Sequence, residues 1–371
     1  MDADVLMIFF RALIVSTALS VVPLMLIRFL DRRERENPWL LAAAFLWGGC
    51  IATALSLPFN TAFFRLVDRW VALNPLVAEI LGPNAAVLIA APLSAPIIEE
   101  FTKAAGVGLI FWLLRDEFDN MRDGFVYGAL VGAGFNWFEA PLYVAKGYAE
   151  WGVAPYNLHL GLRYALFGLG GHALFTGMFG LFLGLAAQTQ RVWLRILAPL
   201  IGLLLAIAAH MFNNALPLLA ALGSASEGQP LGRDFERDII ADLGFWQAFW
   251  AGSALQATTF APFLLIVAIA LWRSGRWERR VIREELASEV GQSLSPGEYR
   301  DVLADRMIRT RRIDALHLKQ SAALVNAQHE LAFRKRRVRD RGDDPERDEL
   351  VDSWRRDIAR IRAGTRAPSE A

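Results

Sequence analysis

Residues 84–114 read NAAVLIAAPLSAPIIEEFTKAAGVGLIFWLL, an apolar run of membrane-spanning length with Glu99 and Glu100 side by side near its centre. About 20 apolar residues suffice to cross a bilayer. A carboxylate at that depth costs about 2.5 kcal/mol or more, so ionisable residues inside membrane spans face a cavity or a partner rather than lipid. Lys103 follows Glu99 by four residues and Glu100 by three, and on a helix it reaches back to either carboxylate. One carboxylate can then be held ionised by the lysine while the other stays free to take a proton.

Outward from this stretch the same composition continues. The chain has 371 residues, 54% of them hydrophobic, with 12 Trp and 24 Phe, and a mean hydropathy of +0.31. That is more apolar surface than one water-soluble core needs, and it predicts an all-α, polytopic membrane protein. Seven stretches are long enough to span: Val5 to Phe29, Trp39 to Phe59, Asn84 to Leu114, Asp123 to Ala145, Tyr164 to Ala187, Leu194 to Leu222 and Trp246 to Trp272. The start, Met1-Asp2-Ala3-Asp4, is acidic where a secretory leader is basic, so the first stretch reads as a retained span. Cys50 is the sole cysteine, which excludes an intrachain disulfide framework.

Basic residues assign the sides. The connections after spans one, three, five and seven hold Arg28, Arg32, Arg33, Arg35, Arg115, Arg122, Arg191, Arg195, Arg273, Arg276, Arg279 and Arg280. Opposite them stand Arg65, Arg69, Lys146, Arg163, Arg233 and Arg237. Twelve against six predicts the N-terminus outside and the C-terminal tail in the cytoplasm. The chain then divides into a membrane region, 1–272, and a charged helical tail, 273–371.

The tail carries 23 of the 39 Lys and Arg but 18 of the 38 Asp and Glu. Ser295-Pro296-Gly297-Glu298 is a capping box with proline at the first helical position, and Asp344-Pro345 repeats the cap-plus-proline start. Ile313, Leu316, Gln320, Ala323, Ala327 and Leu331 recur at three-four spacing and predict one apolar helical face. That face suits a cytoplasmic partner or self-association through the tail. The basic run Arg334-Lys335-Arg336-Arg337 suits solvent or anionic headgroups, and nucleic acid is not expected. His159, His317 and His329 are read as solvated, and the end beyond Ala363 as disordered.

Polar groups recur on four successive spans: Glu99, Glu100 and Lys103; then Glu139; then His172 and Thr176; then His210, Asn213 and Asn214. At about 1.5 Å of rise per residue they fall in one slab of the bilayer. A single intramembrane histidine can be explained as a packing detail, so the set carries the argument. Two hydrolytic chemistries fit it. In one, Glu99 or Glu100 is a general base while His210 and Asn214 donate to the oxyanion. In the other, His172, His210 and Glu139 bind a divalent metal such as zinc, with a glutamate as base. A proton- or ion-coupled transporter is the alternative, since the same residue types build proton relays. It is weakened by the lack of inverted repeats. A non-enzymatic scaffold would leave the buried charges unexplained.

Glu99-Glu100-x-x-Lys103, Phe135-x-x-x-Glu139, His172-x-x-x-Thr176 and His210-x-x-x-Asn214, in this order over residues 85–222, resemble the PrsW family of intramembrane proteases. That family is distantly similar to the type II CAAX prenyl proteases and their bacterial relatives. The family pattern has asparagine after the second motif's glutamate, where this chain has Ala140. The resemblance implies an intramembrane protease that cleaves a membrane-anchored protein in or beside its transmembrane segment, an anti-sigma factor in the family's best-known role. It implies catalytic roles for Glu99, Glu100, His172 and His210, with Lys103, Glu139 and Asn214 in support.

Overall fold

The computed structural model describes residues 2–32, 36–82, 84–114, 118–226, 243–304 and 318–364. Arg33, Arg35, Arg115, Arg233 and Arg237 of the charge comparison, Ile313, Leu316 and His317 of the tail, and the end beyond residue 364 lie outside the described residues. Thirteen α-helices and no strand occur among the described residues, an all-α fold as the composition predicts. They form two compact units, Met1–Leu30 with Asn37–Ala268, and Asp31–Glu36 with Ile269–Ala371.

In the first unit, α1 (Ala3–Leu30) is followed by α2 (Pro38–Leu46) and α3 (Thr53–Ala72), joined through a π-helical turn, Trp47–Ala52. The Asn37 side chain caps α2 by accepting from Trp39 N, and Pro38 takes the first turn, where its missing N–H costs nothing. The short α4 (Pro75–Leu81) leads to α5 (Ala85–Leu113). After α6 (Met121–Trp151) come α7 (Gly171–Gln188), α8 (Val192–Ser226) and α9 (Phe245–Thr259), and α10 (Ala261–Ala287) starts in this unit and belongs to the second from Ile269 on.

Five segments are long and apolar enough to cross a membrane: Ala3–Leu30, Pro38–Ala72, Ala85–Leu113, Ala165–Gln188 and Val192–Leu219. The pair α9 and α10 passes the same test jointly but is bent by 76°, so the number is five, or six if that pair makes one span. Seven were expected from the sequence. Asp123 to Ala145 lies on α6, which is long enough to span but less apolar and richer in glycine than the five. Its neighbours explain this. Because α6 packs against α1, α2, α5 and α7 and is buried along most of its length, it faces protein instead of lipid and needs no lipophilic surface.

Small residues let α6 come that close. A Cβ added to Gly132 would stand 2.1 Å from the His172 carbonyl oxygen, and one added to Gly128 would stand 2.4 Å from that of Thr176. Backbone therefore touches backbone between α6 and α7, and that contact fixes how far His172 stands from Glu139. The start of α6 is a full capping box, with Asn120 accepting from Arg122 N and Asp123 N while Asp123 accepts from Asn120 N.

The second unit has its own core, built from Val281, Ile282 and Leu286 of α10, Leu294, Leu324, Leu331 and Phe333, and Val351 and Ile358. Ser295 caps α11 (Pro296–Leu303) through the expected reciprocal bonds with Glu298. Asp344-Pro345 starts only a 3-10 turn, Pro345–Arg347, and Asp348 caps α13 (Glu349–Arg362) just after it. In α12 (Leu318–Asp340) Ala327 and Leu331 are buried as predicted. Ala323 is exposed, and Leu324 and Phe333 fill the core instead. His329, expected in solvent, is 4% exposed.

The basic run is consumed by this unit's own acids. Arg334 pairs with Asp348 at 2.6 Å, Arg336 with Asp340 at 2.9 Å and Arg339 with Glu285 at 3.0 Å. Lys335, 1% exposed, donates to Glu289, which Arg355 also meets at 2.7 Å and to which Ser293 donates. Burial would raise the Glu289 carboxyl, but the hydrogen bonds from Arg355, Lys335 and Ser293 outweigh it and hold the group down at about 2.

Candidate functional site

Five elements of the first unit bring the polar membrane residues together. Glu99, Glu100 and Lys103 come from α5, one turn after Pro92 and Pro96 interrupt its hydrogen bonding. Asn60 comes from α3, Glu139 from α6, His172 and Thr176 from α7, and His210 from α8. Glu99, Glu100, Lys103 and His210 are 3% exposed or less.

The contacts form one connected network. Lys103 Nζ donates to Glu99 Oε2 at 3.2 Å and Glu100 Oε1 at 2.9 Å, and meets His172 Nδ1 at 2.9 Å. The second Glu99 oxygen accepts from Asn60 Nδ2 at 3.1 Å, and Asn60 in turn accepts from Ser94 Oγ at 2.9 Å. Glu100 Oε1 also meets His210 Nδ1 at 3.0 Å, and its Oε2 accepts from Thr176 Oγ1 at 2.9 Å. On the far side of the His172 ring, Nε2 lies 2.9 Å from Glu139 Oε2, and Arg163 Nη1 donates to the same oxygen at 2.5 Å.

These partners fix the histidine tautomers. An ionised carboxylate only accepts, so His172 Nε2 and His210 Nδ1 carry the protons. His172 Nδ1 and His210 Nε2 are then the lone-pair nitrogens. His210 Nε2 is 4.0 Å from Glu99 Oε2, and His172 Nδ1 faces Lys103 Nζ at 2.9 Å. Ligand atoms of Glu99, His172 and His210 all lie within 4.8 Å of one another. Two neutral imidazoles and one carboxylate are a zinc donor set of the catalytic type, which leaves a further position for water or substrate. Each imidazole is backed by a carboxylate, Glu139 for His172 and Glu100 for His210, the outer-shell arrangement that orients metal-binding histidines. The residues therefore fit a divalent metal.

Aromatic rings wall the cluster. Phe135 lies 3.8 Å under Lys103 Nζ, its ring 5.0 Å from His172, and Phe175 stacks on His210 at 5.2 Å. The two imidazoles stand edge to face at 4.9 Å. Three carboxyl groups meet two basic side chains, Lys103 and Arg163, so with all five ionised and the histidines neutral the cluster would carry one net negative charge. In a low-dielectric site such an excess draws in a cation or a proton.

The chain enters α7 under strain. Leu166 and Phe167 have φ of 51° and 58°, and Gly168 and Gly171 have 74° and 53°. Side chains in this left-handed region cost on the order of 1 kcal/mol each. Ser253 Oγ on α9 holds the turn by accepting from Leu166 N at 3.0 Å.

Of the residues singled out in the sequence, Glu99, Glu100, Lys103, Glu139, His172 and His210 converge here. The ligand atoms that cluster are those of Glu99 with the two histidines, while Glu139 stands behind His172. Asn214 is not in the cluster, since its Nδ2 donates to the Ala91 carbonyl at 3.1 Å and ties α8 to α5. Two participants were not anticipated. Asn60 sits one residue past the expected end of its span, and Arg163 was counted only as a loop charge. His159 is half-buried, its ring 5.3 Å from that of Tyr143.

Residues 36–229, just over half of the 371, match the family described as PrsW family intramembrane metalloprotease. No curated protein and no solved structure matches the chain. Nothing in these comparisons supports the transporter reading. The matched segment contains every member of the buried cluster, from Asn60 to His210, so on sequence and geometry together this integral membrane protein belongs to the PrsW family of intramembrane proteases.

Proposed function

We propose that the protein is a metal-dependent endopeptidase in which Glu99, His172 and His210 hold the metal and Glu100 is the general base. The observation that carries this is the paired backing of the two imidazoles: Glu139 accepts a hydrogen bond from His172 Nε2 and Glu100 accepts one from His210 Nδ1. That pairing leaves one lone-pair nitrogen of each ring for a metal beside the Glu99 carboxylate. Zinc suits these donors.

The bound metal supplies a Lewis acid that polarises the scissile carbonyl and makes water a better nucleophile. The chain does the rest. Glu100, held at Oε2 by Thr176, takes the water proton as the water oxygen bonds to the carbonyl carbon. As the C–N bond breaks, Glu100 returns that proton to the leaving nitrogen. Arg163 keeps Glu139 ionised and in place, and Glu139 keeps His172 in the tautomer that binds. Phe135 and Phe175 keep bulk water away from the charges, which strengthens each electrostatic contact.

The substrate class is a membrane-anchored protein cut in or beside its single span, with an anti-sigma factor the specific case that the family resemblance suggests. The arginine distribution supports an outside N-terminus and a cytoplasmic tail, and the family resemblance suggests a bacterial plasma membrane. The test is proteolysis of a panel of single-span membrane proteins by the full-length protein in liposomes. Cleavage lost on chelation, restored by zinc and absent in Glu100→Gln is expected. Cleavage that persists in chelator would overturn the metal assignment in favour of metal-free glutamate chemistry.

A further inference from the structure

Lys103 stands where a metal would have to bind. It is wholly buried, and its ammonium is within 3.2 Å of Glu99 Oε2 and 2.9 Å of His172 Nδ1, atoms of two of the three residues whose ligand groups cluster. The limit is set by lone pairs. His172 Nε2 bonds the Glu139 carboxylate and so carries the ring proton, which leaves Nδ1 with a single in-plane lone pair. That pair either accepts from the ammonium or binds a metal, and it cannot do both. Zinc–nitrogen bonds of about 2.0–2.1 Å would also put the ion inside the volume that Nζ fills.

We propose that Lys103 is a built-in competitor for the metal: its ammonium neutralises the site in the metal-free protein and must leave His172 and Glu99 before a divalent cation binds. This rests on the metal reading of the preceding section. Glu100 Oε1, already 2.9 Å from Nζ, is the acceptor that can keep the displaced ammonium. The flexible four-carbon stem of lysine permits such a shift, whereas the longer planar guanidinium of arginine would be hard to clear from so tight a cluster.

The experiment measures zinc affinity of the full-length protein in detergent, by competition with a chromophoric chelator, for the wild type, Lys103→Met and Lys103→Arg. Thermal unfolding of the metal-free forms is followed alongside. Removing the competitor should tighten zinc binding at least about tenfold in Lys103→Met. The same variant, with its acids unneutralised, should unfold at a lower temperature without metal and recover when zinc is added. Lys103→Arg should keep metal-free stability and bind zinc at least about tenfold more weakly.

Unchanged or weaker binding in a folded Lys103→Met would overturn the proposal and make the lysine an organiser of the ligands. Wild-type affinity in Lys103→Arg would overturn it as well, and this arm stands even if the methionine variant needs metal to fold. Absence of zinc binding in all three proteins would remove the metal reading itself, and the competitor with it. Either of the first two results, with the wild type still binding zinc, would remove the competitor alone.

Discussion

Two of the buried charge clusters among the described residues, one in each unit, are built on different principles. In the tail unit, one buried carboxylate, Glu289, is met by two cations and a hydroxyl, Lys335, Arg355 and Ser293. In the membrane unit, three carboxylates share two cations and two imidazoles, and two imidazole nitrogens keep their lone pairs turned inward. Arg355 also pairs with Glu346 at 2.8 Å and with Asp352 at 3.2 Å, so the charges of the first cluster are matched within its own unit. The second has one more carboxyl group than it has basic side chains and is walled by aromatic rings. Burial of charge alone thus does not separate structural from functional clusters, whereas the balance of donors, acceptors and charge does.

Breaking each cluster should expose the difference. The largest effect is expected from Glu100→Gln and His210→Ala, each lowering cleavage by about 10²–10⁴-fold with helix content and membrane insertion retained. Full activity in both would erase the contrast from the membrane side. Next comes Lys335→Met, which leaves Glu289 with one cation fewer. Breaking a buried pair costs about 3–5 kcal/mol, so the tail of the full-length protein should become protease-sensitive while the membrane helices stay protected. A tail as resistant as the wild type would show that its cluster is not structural.

A smaller effect separates the ligands from the residues behind them. Glu139→Gln should lower zinc affinity or turnover about 10–100-fold, the usual cost of an outer-shell change, and less than loss of His172 itself. An equal loss would move Glu139 into the ligand set. The smallest effect concerns acid. Because Glu289 is held down at about 2 in the folded tail, its stabilisation is present above the ordinary carboxyl range of about 4.3 and fades as pH falls from there toward 2. Tail unfolding measured between pH 7 and 2.5 should therefore show a loss at the acid end that Glu289→Gln lacks. An identical acid profile in the variant would contradict the assignment.

How much was legible in the sequence follows from the same physics. Glu99, Glu100, Lys103, Glu139, His172 and His210 stand out because charge in an apolar span is costly and needs a reason. Asn60 and Arg163 were missed because a lone amide in a span costs less, and a loop arginine reaches a site with a side chain whose direction no spacing records. Which carboxylate joins the histidines and which stands behind them depends on the nitrogen each ring turns inward, and that is set only when α5, α6, α7 and α8 pack. The helix α6 is long enough to span, and its enclosure by α1, α2, α5 and α7, which no spacing in the sequence records, lets it be less apolar than the other spans. In the tail, the partners of the basic run lie far along the chain, at Glu285, Glu289 and Asp348, so the run looked free.

The central claim is that Glu99, His172 and His210 hold a metal on which cleavage depends. Its most direct test is the metal content of active, full-length protein, by elemental mass spectrometry, against His172→Ala and His210→Ala. One divalent metal per chain in the wild type, lost from both variants together with cleavage, is the predicted result. Full cleavage by protein that carries no metal would contradict it.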